Sequence, residues 1–485
     1  MAAPPRREKM SAVDTAWLRM DRPHNLMVIC GVLLFRKRVS LARLRKVVAE
    51  RFLVFKRFKQ RAVETPGGAY WQADSHFDIE RHVVHTALPG RAGRKELQEL
   101  VSRLATTPLD PARPMWQFHL VDNYHGGSAL IARMHHSYAD GIALVRVILS
   151  MTDAGPDGPP AMPFAPQPRR RAAPDDAMGQ WLAPLTGVMH TARKVGATLL
   201  EKGAELWSDP AKAVMLANQG TALTAELAKM ALMPQDSPTR FKGKASVGKR
   251  VAWTDPLPLS EVKAIGRALG ASVNDIVLSC VAGALRAYLV DKGDEVADVM
   301  MRALVPVNLR PMEKAYKLGN QFGLVFLDLP IGIENPVERL YAVRANMNAL
   351  KGSYQPVLAL GLLAAMGSGP KALQEVLLQA LARNASSVMT NVPGPQAPLY
   401  LAGALIDGVI VWVPQSGDIG MGVSIISYNG AVQFGLITDR AFCPDPEHVS
   451  ARFGDEFERL VLVTLMAPWP RDGDLDPAEA EAVLA

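Results

Sequence analysis

Apolar residues recur along the chain with two spacings, and the two alternate. Ser40 precedes a run in which Leu41, Leu44, Val47 and Val48 share one helical face, and its hydroxyl suits an N-cap. Residues 95–105 have the same helical period. Shorter apolar runs at 26–35 (interrupted by Gly31), 69–73, 117–121 and 128–134 have strand length. Further along, 251–253 predicts a strand. Ser260 is expected to cap a helix ending at Gly270, with Val262, Ile265 and Leu269 inward. A second helix is expected to start at Asn274 and run through Leu289. Strands follow at 301–307, 323–329, 387–391, 409–413, 422–427 and 431–437. Both halves read as sheets with helices packed on them, an α/β chain.

A seam divides the halves. Between 154 and 176 lie Pro159, Pro160, Pro163, Pro166, Pro168 and Pro174, which forbid a regular helix or central strand. Arg169, Arg170 and Arg171 sit inside it. Residues 181–233 are helical in pattern, broken at Pro184 and Pro210, apolar and sparsely charged. They suit core or capping helices. They also suit a lipid-facing surface, with Trp181, Leu182, Leu185 and Trp207 at the contact. The expected division is 1–153, an N-terminal half; 154–245, linker and apolar helices; 246–470, a C-terminal half; and 471–485, an acidic, alanine-rich tail suited to a frayed helix.

Composition narrows the class. The 485 residues are 49% hydrophobic and 21% charged, enough to bury a large core. Cys30, Cys280 and Cys443 are few, odd and distant, so they predict buried thiols rather than a disulfide scaffold or a cysteine metal site. No basic segment leads into a signal-type apolar stretch. The apolar runs at 26–35 and 357–366 fall short of the ~20 residues that span a bilayer. The expectation is a cytoplasmic protein without a membrane-crossing helix. The net charge of +7 comes with no basic stripe of interleaved aromatics, which disfavours nucleic acid. An anionic membrane surface or an anionic cofactor fits at least as well.

The chemistry centres on Met134-His135-His136-Ser137-Tyr138-Ala139-Asp140-Gly141. The two histidines end an apolar strand, where successive side chains point to opposite faces, so only one can serve a given cavity. The other is free to orient the loop. Asp140 is placed to cap the helix that Gly141 opens, with Ile142, Val145 and Leu149 on one face, or to pair with an arginine; either locks the loop. A neutral imidazole can take an alcohol proton at neutral pH. No metal-ligand set, serine elbow or phosphate-binding glycine loop accompanies it. Attack by an activated substrate hydroxyl, without a covalent enzyme intermediate, fits best.

These residues resemble the HHxxxDG motif of the condensation-domain and chloramphenicol-acetyltransferase-like superfamily. Other stretches resemble the bacterial wax ester synthase/diacylglycerol acyltransferase family. They are Ser11-Ala12-Val13-Asp14 with Trp17-Leu18-Arg19-Met20, and Phe77-Asp78 with His82. Pro108-Leu109-Asp110 with Arg113-Pro114-Met115-Trp116, Ser272-Val273-Asn274-Asp275, Asn391-Val392-Pro393-Gly394-Pro395 and Ser427-Tyr428-Asn429-Gly430 complete the set. The family's Pro-Leu-Trp is Pro114-Met115-Trp116 here, a volume-conserving change.

The resemblance implies two chloramphenicol-acetyltransferase-like halves with an active-site tunnel between them. It implies acyl-CoA as donor substrate, diacylglycerol or a long-chain alcohol as acceptor, and no cofactor or metal. His136 would be the base, with His135 orienting and Asp140 and Gly141 shaping the loop. Asn274 reads locally as an N-cap with Asp275 in the first turn. The resemblance brings both near the substrates, with Asn274 an oxyanion donor candidate. Insoluble acceptors imply contact with the inner membrane face or lipid bodies. Two alternatives stand beside this: a condensation-like enzyme with another thioester donor or acceptor, and a non-catalytic relative that binds lipid bodies.

Overall fold

The computed structural model describes residues 7–161, 229–230, 233–309, 318–351, 353–370, 374–375, 378–379, 382–469 and 474–484. Most of 162–233, which contains Trp181, Leu182, Leu185 and Trp207, and most of the proline-rich seam lie outside these residues. Labels below run over the described elements.

The N-terminal half contains β1 (Arg7–Lys9), α1 (Ala12–Met20), β2 (Val28–Phe35), α2 (Leu41–Val47), β3 (Gln60–Thr65), β4 (Gly68–Ala73), α3 (Ile79–His82), β5 (Val83–Thr86), α4 (Arg94–Ala105), β6 (Trp116–Val121), β7 (Ser128–His135) and α5 (Gly141–Ser150). The C-terminal half adds β8 (Lys249–Trp253), β9 (Leu257–Pro258), α6 (Leu259–Ala268), α7 (Val273–Asp291), β10 (Met300–Asn308), β11 (Phe322–Pro330), α8 (Pro336–Leu350) and α9 (Gln355–Ser368). After these come β12 (Ser387–Pro393), β13 (Tyr400–Leu401), β14 (Ala404–Leu405), β15 (Gly408–Trp412), β16 (Met421–Tyr428), β17 (Ala431–Asp439), α10 (Pro446–Met466) and α11 (Pro477–Leu484).

Two mixed sheets organise the molecule. The first runs β15-β2-β7-β6-β5 and the second β11-β10-β12-β16-β17-β8, with β9 also on β17. β15 comes from the C-terminal half yet pairs with β2, Gly408 opposite Leu34 and Trp412 opposite Cys30. The chain therefore crosses from one half into the sheet of the other. Between β12 and β15, the Tyr428 hydroxyl donates to the Ile406 carbonyl and accepts from the Leu399 N–H, at 3.0 and 2.9 Å. The Asn429-Gly430 hairpin turn joining β16 to β17 has φ of +47° and +78°, which favours Asn and Gly.

Strand alternation splits the first sheet into two faces. Val28, Cys30, Val32, Ala129 and Ile131 pack towards Leu97, Leu100 and Val101 of α4, together with Trp253 and Ile437 of the second sheet. Ile29, Leu33, Leu130, Ala132 and Met134 face the other way, towards Ala143, Leu144 and Val147 of α5. All three cysteines are buried and unpaired.

Two helix starts differ from the sequence expectation. α6 begins at Leu259, whose N–H donates to the Gly430 carbonyl at 2.8 Å, so a tertiary bond replaces the cap and Ser260 lies inside the helix. α7 is capped by Ser272 rather than Asn274. The Ser272 hydroxyl accepts from the Asp275 N–H at 3.2 Å, and the Asp275 carboxylate accepts from the Ser272 N–H at 2.8 Å, a reciprocal box. α7 is long and apolar enough to cross a membrane, but 72% of its apolar window is buried inside the protein.

The tail is a docked helix. α11 packs on α8 and α10 with Leu475 and Ala480 buried, and Asp474 pairs with Arg344. The first residues after α5 also fold back, Asp153 exchanging backbone bonds with Tyr400 at 2.7 and 2.9 Å.

Candidate active site

β7 delivers the histidine pair. His136 continues the face of Leu130, Ala132 and Met134, and all four line one large cavity. His135 lies on the opposite side, with its N–H donating to the Met115 carbonyl at 3.0 Å. Its Nδ1 accepts from the Ser137 N–H at 3.1 Å and meets the Ser137 hydroxyl at 2.8 Å, while its Nε2 is 3.8 Å from Asp21. Burial pushes the His135 imidazole down to about 3, and neighbouring His136 opposes its charge further. His135 thus lies behind the cavity wall, bonded within the turn, where burial disfavours its charged form.

The stretches ahead of the histidines support that turn. The Tyr138 hydroxyl accepts from the Met115 N–H at 2.9 Å and donates to the Gln60 carbonyl at 2.7 Å. Its ring stacks on Phe58 and meets the edge of Trp71. Trp116 donates its indole N–H to the Phe58 carbonyl at 2.8 Å, and His82 stacks between Phe77 and Trp116. Pro114-Met115-Trp116 is therefore scaffolding for the loop.

Asp140 does the work of a latch. One oxygen accepts from the Ala143 N–H at 2.9 Å and caps α5; the other accepts from the Gln321 N–H at 3.2 Å. Ala139 bridges Gly319 in the same place. The loop of the first half is thereby fastened to the start of β11 in the second. Gly141 also lines the cavity, and no atom lies within 4 Å of where its β-carbon would be.

The His136 imidazole is held on several sides. Trp17 of α1 stacks on it at 4.0 Å and 15°, and Phe322 of β11 lies at 5.6 Å. Its Nδ1 meets Asn320 Oδ1 at 2.9 Å. Asn320 in turn donates its Nδ2 to Asp14 at 2.8 Å and to the His136 carbonyl at 2.9 Å, and its backbone N–H to Asp14 at 3.0 Å. Burial pushes the His136 imidazole down to about 4, against the opposing charge of Asp140. α1 reaches this point because it packs closely on α9. A side chain at Gly367 would overlap the Ala12 carbonyl, so only glycine permits the approach.

The cavity runs between the two halves. α5 and the inner face of β2, β7 and β15 form one wall, and β10, β11, β12 and β16 contribute the other. It is mostly apolar. Besides His136 and Asp140, its polar lining includes Asn308, Thr390, Asn391 and Ser424, and the Ser424 hydroxyl is buried with no hydrogen-bond partner among the described residues. Asn391, the last residue of the strand expected at 387–391, lies within β12 and lines this space.

The predicted site residues divide accordingly. His136, Asp140 and Gly141 meet at the cavity. Asn274 stands behind it, its side-chain oxygen accepting from the Asn391 amide. Asp275 is occupied by the α7 cap. Asp14 and Trp17 were visible in sequence only as family signature residues without a role. Asn320 carried no signal: it belongs to no periodic run and is 184 residues from His136.

A family model described as the wax ester synthase/diacylglycerol acyltransferase catalytic domain matches residues 10–277, and one for the WS/DGAT C-terminal domain matches 318–461. The chain belongs to this family. It is an acyltransferase, built as two chloramphenicol-acetyltransferase-like halves. A probable diacylglycerol O-acyltransferase, tgs2, of Mycobacterium tuberculosis is 30% identical over 404 residues, 80% of this chain and 83% of the relative. A second, putative diacylglycerol O-acyltransferase of the same species is 28% identical over 431 residues, 86% and 82% of the two chains.

Among solved structures, the wax ester synthase/diacylglycerol acyltransferase of Marinobacter aquaeolei superposes with a TM-score of 0.66 at 22% identity, over 94% of this chain and 100% of that one. A starter condensation domain of rhizomide synthetase, in complex with C8-CoA and Leu-SNAC, superposes at 0.55 and 13% identity over 97% and 98%. At these identities the likeness concerns the fold. Both family-model matches contribute to the site: Asp14, Trp17 and His136 come from the first, Asn320, Phe322, Asn391 and Ser424 from the second.

Proposed function

We propose that this acyltransferase moves a long-chain acyl group from acyl-CoA to diacylglycerol, to a long-chain alcohol, or to both, with His136 as general base. The observation that carries this reading is a buried imidazole set at the wall of an apolar cavity between the halves. The imidazole takes the acceptor's hydroxyl proton as the oxygen bonds to the thioester carbonyl carbon. The tetrahedral intermediate then expels CoA thiolate, and the imidazolium returns the proton to sulfur. A buried site favours this, because a base that stays unprotonated in neutral solution is ready without a prior proton loss. Direct transfer needs no cofactor. Ser424, whose hydroxyl has no partner among the described residues, and Asn391, backed by Asn274, are candidate donors to the developing oxyanion.

The test supplies purified protein with hexadecanoyl-CoA and either a diacylglycerol or hexadecanol, and follows free thiol. Acceptor-dependent CoA release is expected. Release that ignores both acceptors but responds to an amine, or that requires a carrier-protein thioester, would move the chain to the condensation-like alternative. No release with any pair would leave the silent, lipid-binding reading.

We also propose that the protein works at the inner membrane face or on lipid bodies, because its acceptors are insoluble. Leu462, Leu465, Met466 and Trp469, exposed around the end of α10, supply apolar surface suited to such contact. After flotation of lipid-loaded cell extracts, the protein should rise with the lipid fraction. Full recovery in the soluble fraction would refute this placement.

A further inference from the structure

We propose that Asn320, locked by Asp14, is a positioning residue that holds His136 in the tautomer protonated at Nδ1, leaving the Nε2 lone pair as the base. This rests on the reading of His136 as general base and narrows it to one atom. The argument is one of donors and acceptors. An asparagine amide offers two N–H bonds on one end and lone pairs on the other. Here two acceptors, an Asp14 carboxylate oxygen and the His136 carbonyl, lie at 2.8 and 2.9 Å from the same Asn320 terminal atom. That atom must be nitrogen, since the reversed amide would set oxygen against both. Asn320 Oδ1 is then the atom 2.9 Å from His136 Nδ1, and it can only accept. The proton is therefore on Nδ1. Nε2 carries the lone pair, and it has no hydrogen-bond partner among the described residues.

Asp14 is what makes the amide orientation unambiguous. A single oxygen of Asp14 takes both the Asn320 backbone N–H, at 3.0 Å, and its side-chain N–H. Asp14 is 4% exposed, in α1, and that helix also brings Trp17 over the imidazole. When Nε2 takes up the acceptor's proton, the Nδ1–H bond to Asn320 becomes charge-assisted and Asp14 lies one hydrogen bond further on. Among the described residues, the charged and titratable groups around the imidazole are Asp140, which caps α5, Asp14 from α1, and His135 at the end of β7, backed by Asp21; Arg57 lies near Asp14. This is an Asp–Asn–His arrangement in which the middle residue transmits geometry while the carboxylate stays off the imidazole.

The direct test is nitrogen NMR of the enzyme carrying 15N-histidine, with His136 assigned by comparison with His136→Gln. A pyrrole-type Nδ1 and a pyridine-type Nε2 are expected across the neutral range. The opposite pattern in the wild-type protein would overturn the proposal without any variant. Asn320→Ala should mix the tautomers and lower kcat about a hundredfold with KM little changed, the size expected when general-base function is mis-set. Asp14→Asn keeps both acceptor contacts but removes the charge. It should leave the tautomer intact, lower kcat about tenfold and move the acid limb of kcat/KM to lower pH. Wild-type kcat and tautomer in Asn320→Ala would refute the positioning role. If His136→Gln itself retains full acceptor-dependent release, the base assignment fails instead, so the two failures are distinct.

Discussion

Replacing His136 by alanine lowers acceptor-dependent CoA release about a thousandfold, the loss typical of removing a positioned general base. KM for acyl-CoA should change little, because the apolar walls and Trp17 stay in place. The wild-type pH profile follows from the environment. Burial sets the His136 imidazole at about 4, so the active, neutral form is present throughout the neutral range. Activity should be flat there and fall only as pH drops through about 4, where the base becomes protonated. An unperturbed histidine would instead lose activity below about 6.5. Thiol release followed across buffered pH in wild type and His136→Ala measures both effects. Full release in the variant would contradict the assignment of the base, and an acid limb near 6.5 would contradict the lowering of its pKa by burial.

Replacing Gly31 by leucine should shorten the acyl chains the enzyme accepts. Gly31 and Ala132 are opposite each other on β2 and β7 and both line the cavity beneath α5. Their small side chains leave room between the sheet and Leu144, Val145 and Ile148. A β-carbon at Gly31 would meet only the Ile410 carbonyl, at 3.6 Å, an ordinary contact. Its φ carries no requirement for glycine, so the strand tolerates the change. We propose that the acyl chain lies in this space, into which the larger side chain projects. Displacing about three methylenes, at about 0.8 kcal/mol each, shifts preference from hexadecanoyl- to octanoyl-CoA by roughly fiftyfold. The measurement is kcat/KM over a series of acyl-CoA donors with one acceptor, and over a series of alcohols with one donor. A change confined to the alcohols would make this arm the acceptor's. No change in either series would remove it from the substrate path.

Much of the fold was legible because the burial pattern is regular. The run 128–134 alternates two packing faces, and this alone placed His135 and His136 on opposite sides. The structure bears that out, with His136 in the cavity and His135 bonded to Met115, Ser137 and the region of Asp21. Asp140 as a helix cap was equally readable, since a cap is a contact between near neighbours. The same reasoning failed at Asn274 and Ser260. At α7 Ser272 and Asn274, two positions apart, can each cap, and Ser272 is the one that closes a box with Asp275; at α6 a distant carbonyl takes the Leu259 N–H and no side chain caps the helix.

What the sequence by itself determined is the class of fold, the histidine loop and its likeness to one family, because each rests on short-range order. Only the tertiary structure decided how that loop becomes a site. β15 crosses into the first sheet, the Gly319–Gln321 segment latches the loop through Asp140, and Asn320 reaches His136 across 184 residues with Asp14 behind it. Such contacts leave no period in the chain. Each depends on where two distant segments come to rest, and that is set by packing the two halves together rather than by any local preference.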